Sequence, residues 1–568
     1  MKFWGKLITL NQSQAPLFSK LVEGLGWLLF FVPMAIYGWF VWKYSINIPY
    51  WDDFDILANV ISFVSTNNWL QKLQIIFTQA NEHRVITAKI VFLIQYYLSG
   101  ASNFRYVNIF ANLVWVFSVL FVAYQFRPRG KKINPWILLP VPYFLFNLAA
   151  NESATWAMGS APYFLADLFI FLFLFFLIKD NWKWTYVCLA CAIFSFGSGL
   201  ALIPVGVFYL LYKRKWKSLG WFLVYAFIIF CVYFIGLKTP STGKAVTSIT
   251  SLLPVAGLNL VQFTQFFFTF IGSLFQVLSP VLTTTIGALI FGPILIFFLA
   301  YLITPKPEAD FPVWLFITIL LADGLAAATR SQLGALSALV PKYIPYSGIL
   351  LASAYAMLFS LRHENSKRIA LFLAIVISIA LFWVGFFNQG FVAVYKNNQY
   401  QKINAISGFE KFGDAASLID IYPAAIHASN ILKAARVAGI YQFHPTSMLS
   451  PEIYSIKGKN KQELSGMVDY FSGGKIIGWA ILPNINSAQS NIWLILKSKS
   501  KLLRLKISRL PRPDVSDFYH VGTLYNSSGY EGFINNYDIP SGKYAIGILV
   551  ENGEESGVLW TSHEYDAP

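Results

Sequence analysis

The stretch Pro49-Tyr50-Trp51-Asp52-Asp53-Phe54-Asp55 follows the first long apolar segment of the chain, near residues 24–46. It brings three carboxylates together in a protein that has 27 acidic against 43 basic residues and is 56% hydrophobic. An acidic cluster where a membrane helix ends lies near the membrane–water boundary, and a carboxylate there stays ionised while it reaches groups at the lipid surface. We therefore predict a chemical role for Asp52 and Asp53.

The composition indicates a polytopic helical membrane protein. The chain has 568 residues, a mean hydropathy of +0.55 and 18% aromatic residues, and its apolar runs recur at lengths that can cross a bilayer. The net charge of +16 comes largely from short Lys and Arg clusters between apolar runs, which is the pattern of cytoplasmic loops. The basic charge therefore indicates topology, and we expect membrane lipids but no nucleic acid as partners.

The charge pattern predicts which side of the membrane each loop occupies. Lys2 and Lys6 precede the first span, near 24–46, so the acidic stretch is expected outside. The next confident span, 104–126, is followed by Arg127 and Arg129, which are expected inside. Residues 47–103 then form an outer loop in which the acidic stretch opens an amphipathic surface helix. Whether 85–99 also crosses is left open, although the charge clusters argue against it.

About eleven spans are predicted in all. After 104–126 they lie near 134–150, 162–178, the two short arms of a hairpin at 184–212, 218–237, 281–303, 312–328, 346–361 and 369–390. The loop Lys306-Pro307-Glu308 and the basic cluster 362–368 are both expected in the cytoplasm, so one of the apolar runs 256–278 and 281–303 must not cross; the glutamine-containing run 256–278 is expected to be that one. Whether it crosses is again left open by the pattern itself.

The composition changes after the last span. We predict a membrane domain over 1–390, an extracytoplasmic helical linker over 391–464, with one helix near 424–437, and a small all-β sandwich over 465–568. The β prediction depends on a period of two: Leu503, Leu505 and Ile507 alternate with polar residues, and the alternation recurs from Tyr544 to Val550.

Three groups of polar residues are predicted to share the outer face. They are Asp52 with Asp53, the run Asn81-Glu82-His83-Arg84, and Arg330 with Lys342 and Tyr343. A guanidinium near the interface suits a lipid phosphate, and Asp53 and Asp55 can hold a divalent cation such as Mg²⁺ or Mn²⁺. Each group also has a plainer interpretation, namely a helix cap, the start of a surface helix, or a side chain that snorkels to the headgroups.

The combination of these motifs resembles a family. One apolar span followed by an outer loop that opens with Trp51-Asp52-Asp53 is similar to the GT-C superfamily of polyprenyl-phosphate-sugar-dependent glycosyltransferases. Together with Asn81-Glu82-His83-Arg84, Trp156-Ala157-Met158-Gly159 and Thr329-Arg330-x3-Gly334-x3-Ala338-x3-Lys342-Tyr343, it resembles a bacterial branch of that superfamily. That branch usually has Arg where this chain has Lys342, which keeps the charge but loses the bidentate geometry.

The resemblance implies a reaction and a location. A sugar would pass from a polyprenyl-phosphate donor to a cell-envelope glycan or lipid-linked acceptor, outside the bacterial cytoplasmic membrane. Asp52 would accept the proton, with Asp53 as alternate or metal ligand. The remaining site residues would bind donor phosphate and substrate: Glu82, His83, Arg84, Arg330, Lys342 and Tyr343.

Two other functions stay open. A flippase or transporter of lipid-linked glycans would need ionisable residues inside the bundle, where Asp167 and Asp323 are the main candidates. A glycan polymerase would share the outer-face geometry.

The C-terminal part carries a second resemblance. Gly478-Trp479-Ala480, Arg512-Pro513-Asp514-Val515 and Gly532-Phe533 resemble a small β-domain appended to bacterial polysaccharide-related enzymes. This similarity implies contact with carbohydrate, and a structural cap is the alternative.

Overall fold

The computed structural model describes residues 16–127, 133–237, 259–361, 364–413, 415–443, 452–453, 460–472, 474–499, 501–534, 539–553 and 555–567. Lys2, Lys6 and Arg129, and parts of 256–278 and 391–464, lie outside these ranges. The chain forms two compact units. The helical unit comprises Met1–Ile46 and Asp55–Tyr395, and the C-terminal unit comprises Asn47–Phe54 and Lys396–Pro568.

The N-terminal two thirds of the chain are helical. The helices are α1 (Pro16–Tyr44), α2 (Asp53–Ser65), α3 (Trp69–Phe77), α4 (Ile86–Ser99), α5 (Phe104–Phe126), α6 (Pro135–Leu138), α7 (Pro140–Leu145), α8 (Asn151–Thr155), α9 (Ala157–Ile178), α10 (Trp182–Ile193), α11 (Leu202–Tyr212), α12 (Trp216–Phe234), α13 (Leu260–Ile271), α14 (Thr283–Ile303), α15 (Asp310–Arg330), α16 (Ile344–Leu361), α17 (Glu364–Phe387), α18 (Gln389–Phe412) and α19 (Ala425–Val437). Within the described ranges, seven of them are long and apolar enough to cross a membrane: α1, α5, α9, α12, α14, α15 and α17. The prediction of a polytopic helical membrane protein is confirmed at this level.

The other predicted spans fall on shorter elements. Pro140 interrupts the segment 134–150, which forms α6 and α7, and the two arms of the hairpin form α10 and α11. The span at 346–361 lies in the 18-residue α16. In the part of 256–278 that the structure describes, α13 has 12 residues and is thus about 18 Å long, against a hydrocarbon core of ~30 Å. The count of eleven crossings stays a prediction.

The broken segment runs alongside α1 from its beginning to its end. The indole N–H of Trp136 donates to the carbonyl of Val22, near the start of α1, at 3.3 Å. At the other end, Asn108 donates from Nδ2 both to Ser45 Oγ at 2.6 Å and to the carbonyl of Ala154 at 2.8 Å. Residue 136 thus lies beside residue 22, and residues 45 and 154 meet at Asn108, so the two segments run in the same direction between these levels.

The C-terminal unit contains two β-sheets. Their strands are β1 (Glu452–Ile453), β2 (Asn460–Lys461), β3 (Ser465–Ser472), β4 (Lys475–Ile481), β5 (Asn491–Lys497), β6 (Leu502–Lys506), β7 (Ser508–Leu510), β8 (Gly529–Phe533), β9 (Gly542–Asn552) and β10 (Glu555–Ala567). One sheet has the order β1-β6-β5-β9-β10-β2 and the other β3-β4-β8-β7. A short helix, α20 (Pro513–Phe518), lies between β7 and β8.

One apolar core lies between the two sheets. Ile476 and Tyr530 of the smaller sheet and Leu503 and Ile546 of the larger sheet belong to the same buried cluster. The residues at alternate positions of β6 and β9 point into this core because successive side chains of a strand alternate between its faces. The period of two in the sequence therefore identified the buried face correctly.

Candidate functional site

A tight turn presents Glu82 and His83. The backbone groups of Ala80 and His83 exchange two hydrogen bonds, of 2.8 and 3.0 Å, so Asn81 and Glu82 form the two-residue tip. Asn81 has φ +48°, a left-handed conformation that Asn tolerates better than most residues. The run 81–84 is thus a hairpin-like turn before α4, and its four side chains point to different environments.

Glu82 meets Arg330, which lies 248 positions further along the chain. Nη2 of Arg330 donates to Oε2 of Glu82 at 3.1 Å, and Nη1 donates to the hydroxyl of Tyr343. The guanidinium also lies 5.8 Å from the centre of the Tyr343 ring. Arg330 is the last residue of α15 and its side chain is 25% exposed, so the cation is held from two directions and still reaches solvent.

His83 is partly buried beside these cations. Burial, followed by the positive charges of Arg330 and Lys342, lowers the pKa of His83 to about 3, so the imidazole stays neutral at physiological pH. Its ring packs against Phe196 with ring centres 4.3 Å apart. A Cβ added to Gly197 would lie 2.8 Å from both Cε1 and Nδ1 of His83. The turn between α10 and α11 therefore needs glycine where the imidazole approaches it.

Lys342 completes the cluster and lies over two aromatic rings. Its Nζ lies 5.5 Å from the ring centre of Trp156 and 5.9 Å from that of Tyr163, both of which are buried. An ammonium over aromatic faces is stabilised without losing its charge. We call the five residues Glu82, His83, Arg330, Lys342 and Tyr343 the cationic cluster; Trp156 and Tyr163 support it.

Arg84 has a different environment from its neighbours. Its side chain is buried and donates to three backbone carbonyls: those of Tyr233 at 2.6 Å, Phe77 and Ile235. Phe77 ends α3, and Tyr233 lies in the last turn of α12, with Ile235 just after that helix. The last carbonyls of a helix lack partners within the helix. The guanidinium of Arg84 thus satisfies the ends of two helices.

The acidic stretch belongs to the C-terminal unit and forms a turn. Trp51 has φ +48°, and the N–H groups of Asp53 and Phe54 bond to the carbonyls of Tyr50 and Trp51, each at 3.0 Å. The carboxylate of Asp53 is 1% exposed and accepts a hydrogen bond from the N–H of Tyr50 at 3.1 Å. Asp52 is only partly buried. Asp53 therefore stabilises the turn, whereas Asp52, like Asp55, is partly accessible to solvent.

Residues far along the chain hold this turn in place. The N–H of Trp51 donates to the carbonyl of Ile421 at 2.9 Å, and Tyr441 donates from its hydroxyl to the carbonyl of Asn47 at 2.9 Å. Burial, and then the negative charge of Asp53, raises the pKa of Tyr441. Nζ of the buried Lys402 lies 4.2 Å from the centre of the Tyr50 ring.

Sequence reasoning missed Lys402 and Tyr441. The available signal for Lys402 was its place in α18. Together with Tyr395, Ile406 and Phe409 it follows the three- and four-residue spacing of a buried helix face, and a lysine on such a face needs a partner. Nothing local distinguishes Tyr441 from other aromatic residues.

No metal-binding group of three His, Cys, Asp or Glu side chains occurs in the part of the chain that the structure describes. Asp53 already accepts a hydrogen bond from the turn, and Asp55 lies two residues further on, in α2. The suggestion that Asp53 and Asp55 hold Mg²⁺ or Mn²⁺ stays a prediction.

The arrangement suits an anionic ligand. Arg330 and Lys342 provide two positive charges, while neutral His83 and the Tyr343 hydroxyl add hydrogen-bonding groups that do not repel an anion. Glu82 offsets part of the charge of Arg330.

Comparison of the chain with models of known protein families, with curated proteins and with solved structures found no match.

Proposed function

We propose that this protein is a GT-C-like membrane glycosyltransferase. It would transfer a sugar from a polyprenyl-phosphate donor to a cell-envelope glycan or lipid-linked acceptor, at the extracytoplasmic face of the bacterial cytoplasmic membrane. The observation that carries the proposal is the cationic cluster, in which Arg330 is oriented by Glu82 and Tyr343 beside a neutral His83. Such a cluster suits the phosphate of a lipid-linked donor.

The contact between Glu82 and Arg330 supports the proposed topology. Five long helices separate the two residues, namely α5, α9, α12, α14 and α15. An odd number of crossings would leave the two side chains on opposite sides of the membrane, yet they lie 3.1 Å apart. An odd number of further crossings is thus required. The broken segment 134–150, which lies beside α1, supplies one such crossing, and the two arms of the hairpin, α10 and α11, leave the parity unchanged because a hairpin returns to the side where it began.

A second ion pair supports a non-crossing α13. Nζ of Lys213, just after α11, lies 3.2 Å from Oδ2 of Asp310, the first residue of α15. Two long helices, α12 and α14, separate these residues, so they share a side of the membrane if nothing else crosses between them. A crossing at 256–278 would place them on opposite sides. Both ion pairs are consistent with the predicted eleven spans, and the basic clusters of the loops favour the outer side for the cationic cluster.

In the proposed reaction, basic residues stabilise the leaving phosphate and a carboxylate accepts a proton. The acceptor hydroxyl oxygen bonds to the anomeric carbon of the sugar, and the bond from that carbon to the donor phosphate breaks. The phosphate leaves with the electron pair, and Arg330 and Lys342 stabilise its charge. Asp52 takes the proton of the acceptor hydroxyl, since it is less buried than Asp53, the other carboxylate of the acidic turn. Attack opposite to the leaving group inverts the anomeric configuration.

Two predicted site residues receive altered roles in this proposal. Arg84 is left out of the phosphate site because backbone carbonyls accept from its Nε and both Nη atoms. Asp53 is assigned to holding the turn from which Asp52 projects.

Substitution of the acidic turn tests the proposal. We expect Asp52→Asn to abolish sugar transfer from a polyprenyl-phosphate donor by the purified protein in detergent, with an unchanged melting temperature. Asp53→Asn should lower both activity and stability, because it weakens the bond to the Tyr50 N–H. Full activity in both single variants and in the double variant would reject the carboxylate mechanism.

One observation favours transport of lipid-linked glycans as a second candidate. Asp167 in α9 and Asp323 in α15 are fully buried within candidate spans, and embedded acids often mark transport pathways. Neither carboxylate oxygen of Asp323 has a hydrogen-bond partner among the described residues. Transfer in detergent, where no second compartment exists, identifies a transferase, whereas movement of lipid between leaflets without transfer identifies a transporter. Long glycan products would identify a polymerase.

A further inference from the structure

A groove on the surface of the helical unit lies between α10 and α12. Its volume is about 490 Å³, within the range of roughly 300–1,000 Å³ that is usual for small-molecule sites. Trp182 and Tyr186 of α10 form one wall, and Trp221, Val224 and Ile228 of α12 form the other. The hydroxyl of Tyr225 donates to the carbonyl of Tyr186 at 3.1 Å and joins the two helices.

Most of the groove is lined by apolar side chains, and one end of it is basic. Lys217 lines it beside Ser218, close to the start of α12, and the opposite end is formed by Ile228. Trp221, Val224 and Ile228 are 66%, 54% and 52% exposed, so this wall faces outward from the bundle. Because α12 is long and apolar enough to be a membrane span, we expect this wall to face lipid.

The dimensions of the groove match one leaflet of a bilayer. From Lys217 to Ile228 the helix rises by about 16 Å, at about 1.5 Å per residue. Half of a hydrocarbon core of ~30 Å is about 15 Å. A groove that begins at a lysine and continues for this distance reaches from the headgroup level to the membrane centre.

The charge at the basic end is positive even after ion pairs are taken into account. Lys215 is paired with Asp180 and Lys213 with Asp310. Lys217 lines the groove, and Lys183 lies outside the lining but directly follows the lining residue Trp182 in α10. Neither lysine has a carboxylate within ion-pair distance among the residues the structure describes. Lys183 lies over the ring of Trp184, with Nζ 5.6 Å from the ring centre.

We propose that this groove is a binding site for an anionic phospholipid. One acyl chain would lie between Trp182, Tyr186 and Trp221, and the headgroup phosphate would meet Lys217 and Lys183. A zwitterionic lipid fills the same apolar space, but its added positive charge weakens the attraction of the two lysines. The site is independent of the sugar-transfer reaction and lies on different elements from the cationic cluster.

Native mass spectrometry of the full chain in detergent tests this proposal. The protein is titrated with phosphatidylglycerol and, separately, with phosphatidylcholine of the same acyl chains, and the retained lipid is counted. We expect one phosphatidylglycerol molecule to bind in preference to phosphatidylcholine. Each lysine near a membrane surface contributes about fivefold to the attraction of anionic lipid, so Lys183→Ala with Lys217→Ala should reduce that preference by roughly 30-fold.

Matched controls separate this site from general lipid contact. Lys20→Ala with Lys72→Ala removes the same charge from two lysines outside the groove and should leave the preference unchanged. Val224→Trp fills the groove and should lower the binding of both lipids, whereas Phe227→Trp, at an exposed position of the same helix outside the groove, should not. Equal retention of both lipids by the wild-type protein, or an unchanged preference in the Lys183/Lys217 variant, would overturn the proposal.

Discussion

Replacing Arg330 by lysine is the most direct test of the proposed donor site. The guanidinium donates from two different nitrogens, to Glu82 at 3.1 Å and to the hydroxyl of Tyr343, and these bonds fix the plane of the group. Lysine keeps the positive charge but has a single nitrogen at the end of a flexible stem. Arg330→Lys therefore loses orientation and one phosphate contact without losing the charge.

The size of the effect follows from the bond that is lost. A hydrogen bond to a charged group contributes about 1.5–3 kcal/mol. At about 1.4 kcal/mol for each factor of ten, we expect kcat/KM for the donor to fall roughly 10- to 150-fold in Arg330→Lys and further in Arg330→Ala. Stability should change by at most about 1 kcal/mol, because the side chain of Glu82 is 52% exposed and exposed ion pairs contribute little.

The assay follows transfer of radiolabelled sugar from polyprenyl-phosphate donors as a function of donor concentration, alongside thermal unfolding. Arg105→Lys is the matched control. Arg105 also donates to a backbone carbonyl, that of Trp42 at 3.1 Å, and its guanidinium lies 4.8 Å from the centre of the Trp42 ring, but it is outside the cationic cluster. An unchanged kcat/KM in Arg330→Ala, with normal unfolding, would refute the assignment of Arg330 to the donor phosphate.

Two further predictions concern His83, beyond the test of Asp52 and Asp53 described above. The folded protein holds the pKa of His83 at about 3, whereas an unfolded histidine binds a proton near pH 6.5, so the free energy of unfolding should fall as the pH drops from 6.5 to 3. In His83→Gln the free energy of unfolding should depend less on pH in this range. An equal pH dependence in the variant and the wild-type protein would contradict the lowered pKa of His83. Gly197→Ala should destabilise the protein by about 1–3 kcal/mol, because the added methyl group collides with the imidazole of His83. In the double variant, His83→Ala should remove this collision and recover part of the lost stability. If the two substitutions instead have additive effects in melting experiments, the two residues do not interact.

Much of the fold follows from local patterns. The apolar run 104–126 coincides with α5, and the alternation at Leu503, Leu505 and Ile507 identifies the buried face of the β-region. Hydropathy and the spacing of apolar residues depend only on residues that are close in the sequence, so they can be determined without the tertiary structure. By contrast, 134–150 was predicted as one span, and neither its interruption at Pro140 nor its path alongside α1 was predicted.

The candidate site is only partly contained in such patterns. The sequence placed Glu82, His83 and Arg84 in one run but could not assign their environments. In the structure Glu82 contacts Arg330, His83 packs against Phe196 and Gly197, and Arg84 caps helix ends. These differences arise because Asn81 opens a tight turn, after which consecutive side chains point in different directions.

The amino-acid sequence by itself determined that this is a membrane protein with a C-terminal β-region, since apolar composition and alternation leave few other ways to bury so much hydrophobic surface. Only the tertiary structure decided which polar residues meet. Glu82 and Arg330 are 248 positions apart, and the acidic turn is held by Ile421 and Tyr441. The physical reason is that a buried polar group must find a partner, and packing of distant segments determines which partner is within reach.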